Sequence, residues 1–173
     1  MNHIILDLDS TIISSLLPSV KQPKGLIGHD MDGEFMVYER PHLQKFLNFL
    51  FKNYQVGVWT AASKDYCIFI VEHIILKPGR ELKFVLFDYH GDISEKISTN
   101  PKNLKLVWEG FDGWTKENTI IIDDYDEVYT SQPKNCYHIP AFEANDPNAT
   151  EDTELLELTK ILKRGSLDRR DNK

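Results

Sequence analysis

The chain opens on the stretch that constrains it most. His3-Ile4-Ile5-Leu6 runs directly into Asp7-Leu8-Asp9-Ser10-Thr11. An apolar run without alternation is the pattern of a strand buried on both faces of a parallel sheet. In open α/β sheets, ligands bind at the carboxyl ends of the strands, and that is where the two aspartates fall. Neighbouring carboxylates repel, so one is driven to hold its proton unless a cation is near. The stretch therefore reads as a metal site, as an acid/base pair, or as solvated aspartates capping a turn; alone, it does not decide among these.

The remaining segments supply the sheet and its helices. Residues 26–39 hold Asp30-Met31-Asp32-Gly33 between extendable stretches, which predicts a β-hairpin. Pro41 opens a helix whose Leu43, Phe46, Leu47 and Leu50 form one apolar face. Residues 54–60 form a second buried strand, ending at Thr60, and Ser63 N-caps a deeply packed helix. Residues 14–25 read as a loop. Residues 81–101 read as a small β insert, with strands at 84–87 and 93–97 about a turn at Gly91. A short helix is expected over 103–108. Thr119-Ile120-Ile121-Ile122-Asp123-Asp124 repeats the opening pattern, 135–139 is a last strand, and 151–163 is a terminal helix with Leu155, Leu158 and Leu162 facing the core. This order is that of an open α/β sheet with right-handed crossovers. A single domain over 1–165 and a charged tail over 166–173 follow.

The chain's 173 residues suit one core, and its net charge of −7 argues against sequence-independent nucleic-acid binding, which depends on neutralising phosphates. Cys67 and Cys136 are too few and too scattered for a disulfide framework, so a reducing, intracellular home (nucleus or cytoplasm) is expected. No apolar stretch reaches the ~18 residues of a membrane span. Three expected strand ends carry polar groups: Asp7 with Asp9, Thr60, and Asp123 with Asp124. In a parallel sheet they share one edge. Oxygen ligands without cysteine or histidine at metal spacing select a hard cation, usually Mg²⁺, and such ions commonly serve phosphate chemistry.

Asp7-Leu8-Asp9-Ser10-Thr11 resembles the first motif of the haloacid dehalogenase superfamily. Glu39-Arg40-Pro41-His42-Leu43, Phe46-Leu47, Val58-Trp59-Thr60-Ala61-Ala62, Tyr66, Ile121-Ile122-Asp123-Asp124 and Ile139-Pro140-Ala141-Phe142 narrow the resemblance to the RNA polymerase II C-terminal-domain phosphatases, the NLI-interacting-factor-like phosphatases. The resemblance spans roughly residues 3–143 and implies a Rossmann-like sheet flanked by helices, with a β-hairpin after the first strand and the 81–101 insert as a small cap.

It further implies a Mg²⁺-dependent protein serine/threonine phosphatase acting through a phosphoaspartate on an extended phosphopeptide. Asp7 would be nucleophile and metal ligand. Asp9 would be the general acid/base, with its backbone carbonyl on the metal. Thr60 and Lys102 would contact the phosphoryl group, with Lys105 the alternative lysine. Asp124 would complete the metal shell, and Asp123 would sit beside it. Thr11, Ala61, Arg40, Phe87 and Tyr89 are the candidate substrate contacts, with Lys77 and Arg80 as further basic candidates. A phosphoprotein or phosphopeptide is the implied partner; nucleic acid and membrane are not expected. Two other readings stay open: the same chemistry on a small-molecule or nucleic-acid-end phosphate, and a non-catalytic binding module of the same fold.

Overall fold

The computed structural model describes residues 2–165; the expected tail at 166–173 lies outside them. The central sheet has five parallel strands in the order β6-β5-β1-β7-β8, formed by β1 (His3–Leu6), β5 (Gln55–Trp59), β6 (Leu82–Leu86), β7 (Thr119–Asp123) and β8 (Cys136–His138). β1 lies in the middle, with Leu6 opposite both Val58 of β5 and Ile122 of β7. Its unbroken apolar run is explained by the two cores it feeds. Ile4 and Leu6 join Val56, Val58, Ile120 and Ile122 on one face, while Ile5 joins Trp59 and Ile121 on the other.

The first face is covered by α1 (Leu43–Asn53), α2 (Lys64–Ile70) and α6 (Glu154–Lys163). The apolar face of α1 (Leu43, Phe46, Leu47, Leu50) and the leucines of α6 (Leu155, Leu158, Leu162) are buried there, as their spacing requires. Ser63 caps α2 by accepting the Tyr66 N–H. α2 runs into a π-helical turn, Val71–Ile75, closed by Leu76 N–H on the Val71 carbonyl. The second face packs under α4 (Lys105–Gly110) and α5 (Asp126–Ser131) through Leu104, Val107, Trp114 and Val128. Gly57 is required on this face because the Phe84 ring lies over it: a Cβ would meet Phe84 Cζ at 2.4 Å.

A separate antiparallel sheet, β2-β4-β3, follows the first strand. β3 (Gly28–Met31) and β4 (Phe35–Glu39) are the expected hairpin, and Asp32 and Gly33 both take positive φ in its turn, 48° and 76°. β2 (Ile13–Leu16) occupies part of the segment expected to be loop. Ile13 pairs with Glu39 and Leu16 with Met36, so the strand exists because β4 offers it an edge.

The region 81–101 corrects the expectation of a β insert. Residues 82–86 are an edge strand of the main sheet, and Asp88–Ile97 is a helix, α3. Ile93 and Ile97 are spaced as one helical face, yet Ile97 is exposed and Ser94 alone is fully buried. α3 is held by polar contacts instead. Ser94 Oγ donates to the Asn100 carbonyl at 2.5 Å and accepts the Asn103 N–H at 2.7 Å. Without an apolar stripe, the sequence carries no helical signal there.

Candidate active site

The carboxyl ends of β1, β5 and β7 converge as their parallel alignment dictates. Asp7 prolongs β1: its N–H bonds the Ile122 carbonyl at 3.0 Å. The chain then turns sharply. The Leu8 carbonyl accepts the N–H groups of Thr11, Ile12 and Ile13, and Ser10 adopts φ 57°. A non-glycine residue in this region is strained by about 1 kcal/mol. Ser10 is pinned there by its N–H on the Ile13 carbonyl and by the Phe142 N–H on its own carbonyl.

Lys102 reaches between the two strand-end aspartates. Its Nζ donates to Asp7 Oδ1 at 2.5 Å and to Asp123 Oδ2 at 2.7 Å, and all three residues are buried. The lysine is fixed through its backbone: its N–H donates to Asn100 Oδ1 and its carbonyl accepts Gln132 Nε2. Burial alone would lower the Lys102 ammonium pKa, but Asp7 and Asp123 outweigh it and the pKa is raised. Lys105 instead points to solvent on α4, 3.5 Å from Glu109.

Thr11 Oγ1 lies 3.1 Å from both Asp7 Oδ2 and Asp124 Oδ1. A hydroxyl donates only one proton, so one of these oxygens faces it without a hydrogen. The nearest carboxylate oxygens of Asp7, Asp123 and Asp124 lie within 4.8 Å of one another. Burial first, then the charge of Asp7, raises the Asp123 carboxyl above its ordinary value, and Asp124 shifts the same way for the same reasons. This oxygen-only cluster, with one ammonium among several carboxylates, has the donor chemistry of a hard divalent cation. Asp9 sits at the mouth of the cluster, where Tyr66 Oη donates to its Oδ1 at 2.6 Å. Burial pushes the Asp9 carboxyl from 3.8 to about 6; the Tyr66 bond opposes the shift and Asp7 adds to it. Thr60 is buried at the end of β5, and its Oγ1 accepts the Ala62 N–H at 3.1 Å, leaving its proton to donate.

The remaining candidates separate. Thr11 is buried and committed to the two aspartates, not open to a substrate. Arg40, also buried, spends its guanidinium on Asp152 at 2.8 and 2.9 Å and on the Thr11 carbonyl at 2.9 Å, so it braces the turn and offers no surface cation. Arg80 holds Gln44, Asn48 and the Ile75 carbonyl, while Lys77 is exposed. Ala61 is exposed beside Thr60. Phe87 N-caps α3, its ring half-buried and edge-on to His90, and Tyr89 is 61% exposed. Two contributors escaped the residue-by-residue reading: Gln132, which holds the Lys102 carbonyl, and His138, whose Nε2 lies 2.9 Å from the Asp124 carbonyl. Neither has a local sequence signal, since each acts across more than ten residues.

A five-stranded parallel sheet with buried carboxylates at its carboxyl edge defines the class as haloacid dehalogenase-like. Within that class the chain belongs to the NLI interacting factor-like phosphatase family, which it matches over residues 2–172. It is 38% identical over 174 residues to the CTD phosphatase-like protein 355R of Invertebrate iridescent virus 3, covering 92% of this chain and 94% of the relative. The protein of the same name from Invertebrate iridescent virus 6 is 38% identical over 182 residues, covering 95% and 98%. Among solved structures, the fission yeast RNA polymerase II CTD phosphatase Fcp1 bound to beryllium fluoride shares the fold, with a TM-score of 0.59 at 16% identity. That match covers 96% of this chain and 52% of the yeast chain, so this chain spans about half the length of the yeast chain in that structure.

Proposed function

We propose that the protein is a Mg²⁺-dependent protein serine/threonine phosphatase that works through a phosphoaspartate on Asp7. The observation that carries the reading is the pairing of two unlike aspartates on one turn: Asp7 bound by the Lys102 ammonium, and Asp9 bound by the Tyr66 hydroxyl with its carboxyl raised to about 6. Relatives carry the name CTD phosphatase-like, and this supports an extended phosphopeptide as the substrate.

The Asp7 carboxylate attacks phosphorus in line, and the bond to the seryl or threonyl oxygen breaks as Asp9 delivers its proton to that oxygen. Water then attacks the acyl phosphate while Asp9 takes a proton from that water, which restores its protonated form. The phosphorus–Asp7 oxygen bond breaks and frees inorganic phosphate. A value of about 6 lets Asp9 exchange a proton in both directions near neutral pH. Lys102 and the Thr60 hydroxyl stabilise the charge spread over the phosphoryl oxygens, the main electrostatic demand of the transfer. Asp7, Asp124, Asp123 and the backbone carbonyl of Asp9 are the groups that would hold Mg²⁺. When bound, the ion supplies positive charge to the phosphoryl oxygens and offsets the repulsion among the carboxylates.

The test is hydrolysis of an aryl phosphate and of a phosphoserine peptide, with Mg²⁺ and with chelator. Turnover is expected in Mg²⁺ only, and Asp7→Asn should abolish it while thermal melting stays cooperative. Undiminished turnover by Asp7→Asn would remove the nucleophile assignment, and turnover in chelator would remove the metal.

A further inference from the structure

Asp9 has two carboxyl oxygens, and the proposed reaction needs its proton on the one that meets the leaving group. The fold treats the two oxygens differently. Tyr66 Oη lies 2.6 Å from Oδ1. Oδ2 has no hydrogen-bond partner among the described residues. A neutral carboxyl carries one O–H and one acceptor oxygen, and a tyrosine hydroxyl is a donor at neutral pH. With Tyr66 donating to Oδ1, the Asp9 proton sits on Oδ2.

Tyr66 is the better fixed of the two partners. Its N–H donates to Ser63 Oγ at 3.4 Å in the first turn of α2. Its ring is buried in the core and stands edge-on to Phe35 of β4, with centroids 5.8 Å apart and planes at 85°. The helix holds the ring from its backbone and the small sheet holds it from its edge. The same segment carries Thr60, whose Oγ1 accepts the Ala62 N–H at 3.1 Å one residue before the Ser63 cap. One loop and helix start thus place both the hydroxyl that faces the phosphoryl group and the hydroxyl that holds Asp9, which is itself only half-buried on its turn.

We infer that Tyr66 is a positioning residue for the proton transfer: its hydroxyl holds Asp9 Oδ1 so that the proton on Oδ2 faces the leaving oxygen. Given the phosphatase reading, on which this rests, Tyr66 sets which phosphate esters the site cleaves fast. As the Asp7 oxygen bonds phosphorus, the bond from phosphorus to the ester oxygen breaks. Its electron pair stays on that oxygen, which takes the Oδ2 proton. Asp9 becomes a carboxylate, and the bond from Tyr66 becomes charge-assisted and stronger. An interaction that strengthens during the step lowers its barrier. The need for it depends on the leaving group. A seryl or threonyl oxygen is too basic to leave without a proton, whereas an acidic phenol leaves with little help. Tyr66 therefore matters most for alkyl esters such as phosphoserine and phosphothreonine.

The test measures kcat/KM in Mg²⁺ for a phosphoserine peptide and for aryl phosphates of graded phenol acidity, from phenyl to 4-nitrophenyl phosphate. The aryl esters are alike in size and carry no peptide, so peptide contacts do not enter their comparison. The ratio kcat/KM reports steps up to departure of the leaving group, and hydrolysis of the phosphoaspartate does not enter it. Tyr66→Phe should lose about 100-fold on the peptide and on phenyl phosphate, and about tenfold or less on 4-nitrophenyl phosphate. Asp9→Asn, which keeps Tyr66, should show the same graded loss. In that background Tyr66→Phe should add less than about a threefold loss on any ester. Thermal melting of each variant checks that the ring packing against Phe35 survives. A loss of one size on every ester, or an undiminished loss in the Asp9→Asn background, overturns the inference while wild-type turnover still supports the phosphatase reading. Absence of turnover of every ester by the wild type removes that reading, and the inference with it.

Discussion

At the scale of single residues, the site is a problem of charge. Asp9 has an ordinary value of 3.8 and about 6 in the fold. A carboxyl raised on folding favours the folded state in its protonated form. That stabilisation is fully present below the unfolded value and is lost as pH rises through the folded one. In chelator, Asp9→Asn should therefore be more stable than wild type by about 3 kcal/mol at pH 8, the worth of about two pK units, with the gap closing below about pH 4. Urea unfolding from pH 4 to 8 measures it; a gap independent of pH would mean that Asp9 is not raised. Lys102 is the complementary case. Lys102→Met leaves Asp7 and Asp123 buried without their shared ammonium and should cost about 3–5 kcal/mol in chelator. Adding Asp123→Asn should restore part of that loss, and a double-mutant cycle without coupling would contradict the bridge.

At the scale of elements, the strands deliver the site and the helices hold it. On β5, three residues before Thr60, Gly57 leaves room for the tip of the Phe84 ring of the edge strand. Gly57→Ala forces that ring or the strand to move, and should lower stability by about 1–3 kcal/mol. Phe84→Leu in the same chain should recover part of this, as read by denaturant midpoint. α3 shows where pattern reading stops. A helix whose contacts are Ser94, Asn100 and Asn103 resembles a polar hairpin in sequence, because hydrophobic periodicity registers only helices that bury an apolar stripe. α1 and α6 bury such stripes and were legible to within a few residues.

At the scale of the whole molecule, the chain's late segments close over its first turn. Arg40, from the end of the small sheet, joins Asp152 before α6 to the carbonyl of Thr11. The Phe142 N–H caps the Ser10 carbonyl, and Ala144 N–H bonds Ser14 Oγ. Asp152→Ala strands a buried guanidinium and should cost about 3–5 kcal/mol. The paired Arg40→Leu, Asp152→Leu should be milder in urea, and equal losses in the two variants would show that the stranded charge is not the cause. Among the described residues, no helix is long and apolar enough to cross a membrane.

The sequence by itself determined the buried parallel strands, the hairpin turn at Asp32-Gly33 and the family, because those rest on local signals: unbroken apolar runs, a two-residue turn, and ordered short motifs. Residues that act at a distance needed the tertiary structure. Lys102 and Lys105 are both plausible in sequence, and only the Asn100 and Gln132 contacts aim the first between Asp7 and Asp123. Arg40 reads as a surface cation until Asp152, 112 positions away, is seen to neutralise it. Partners that far apart leave no trace in spacing or periodicity, and burial of a charge is decided by what packs over it.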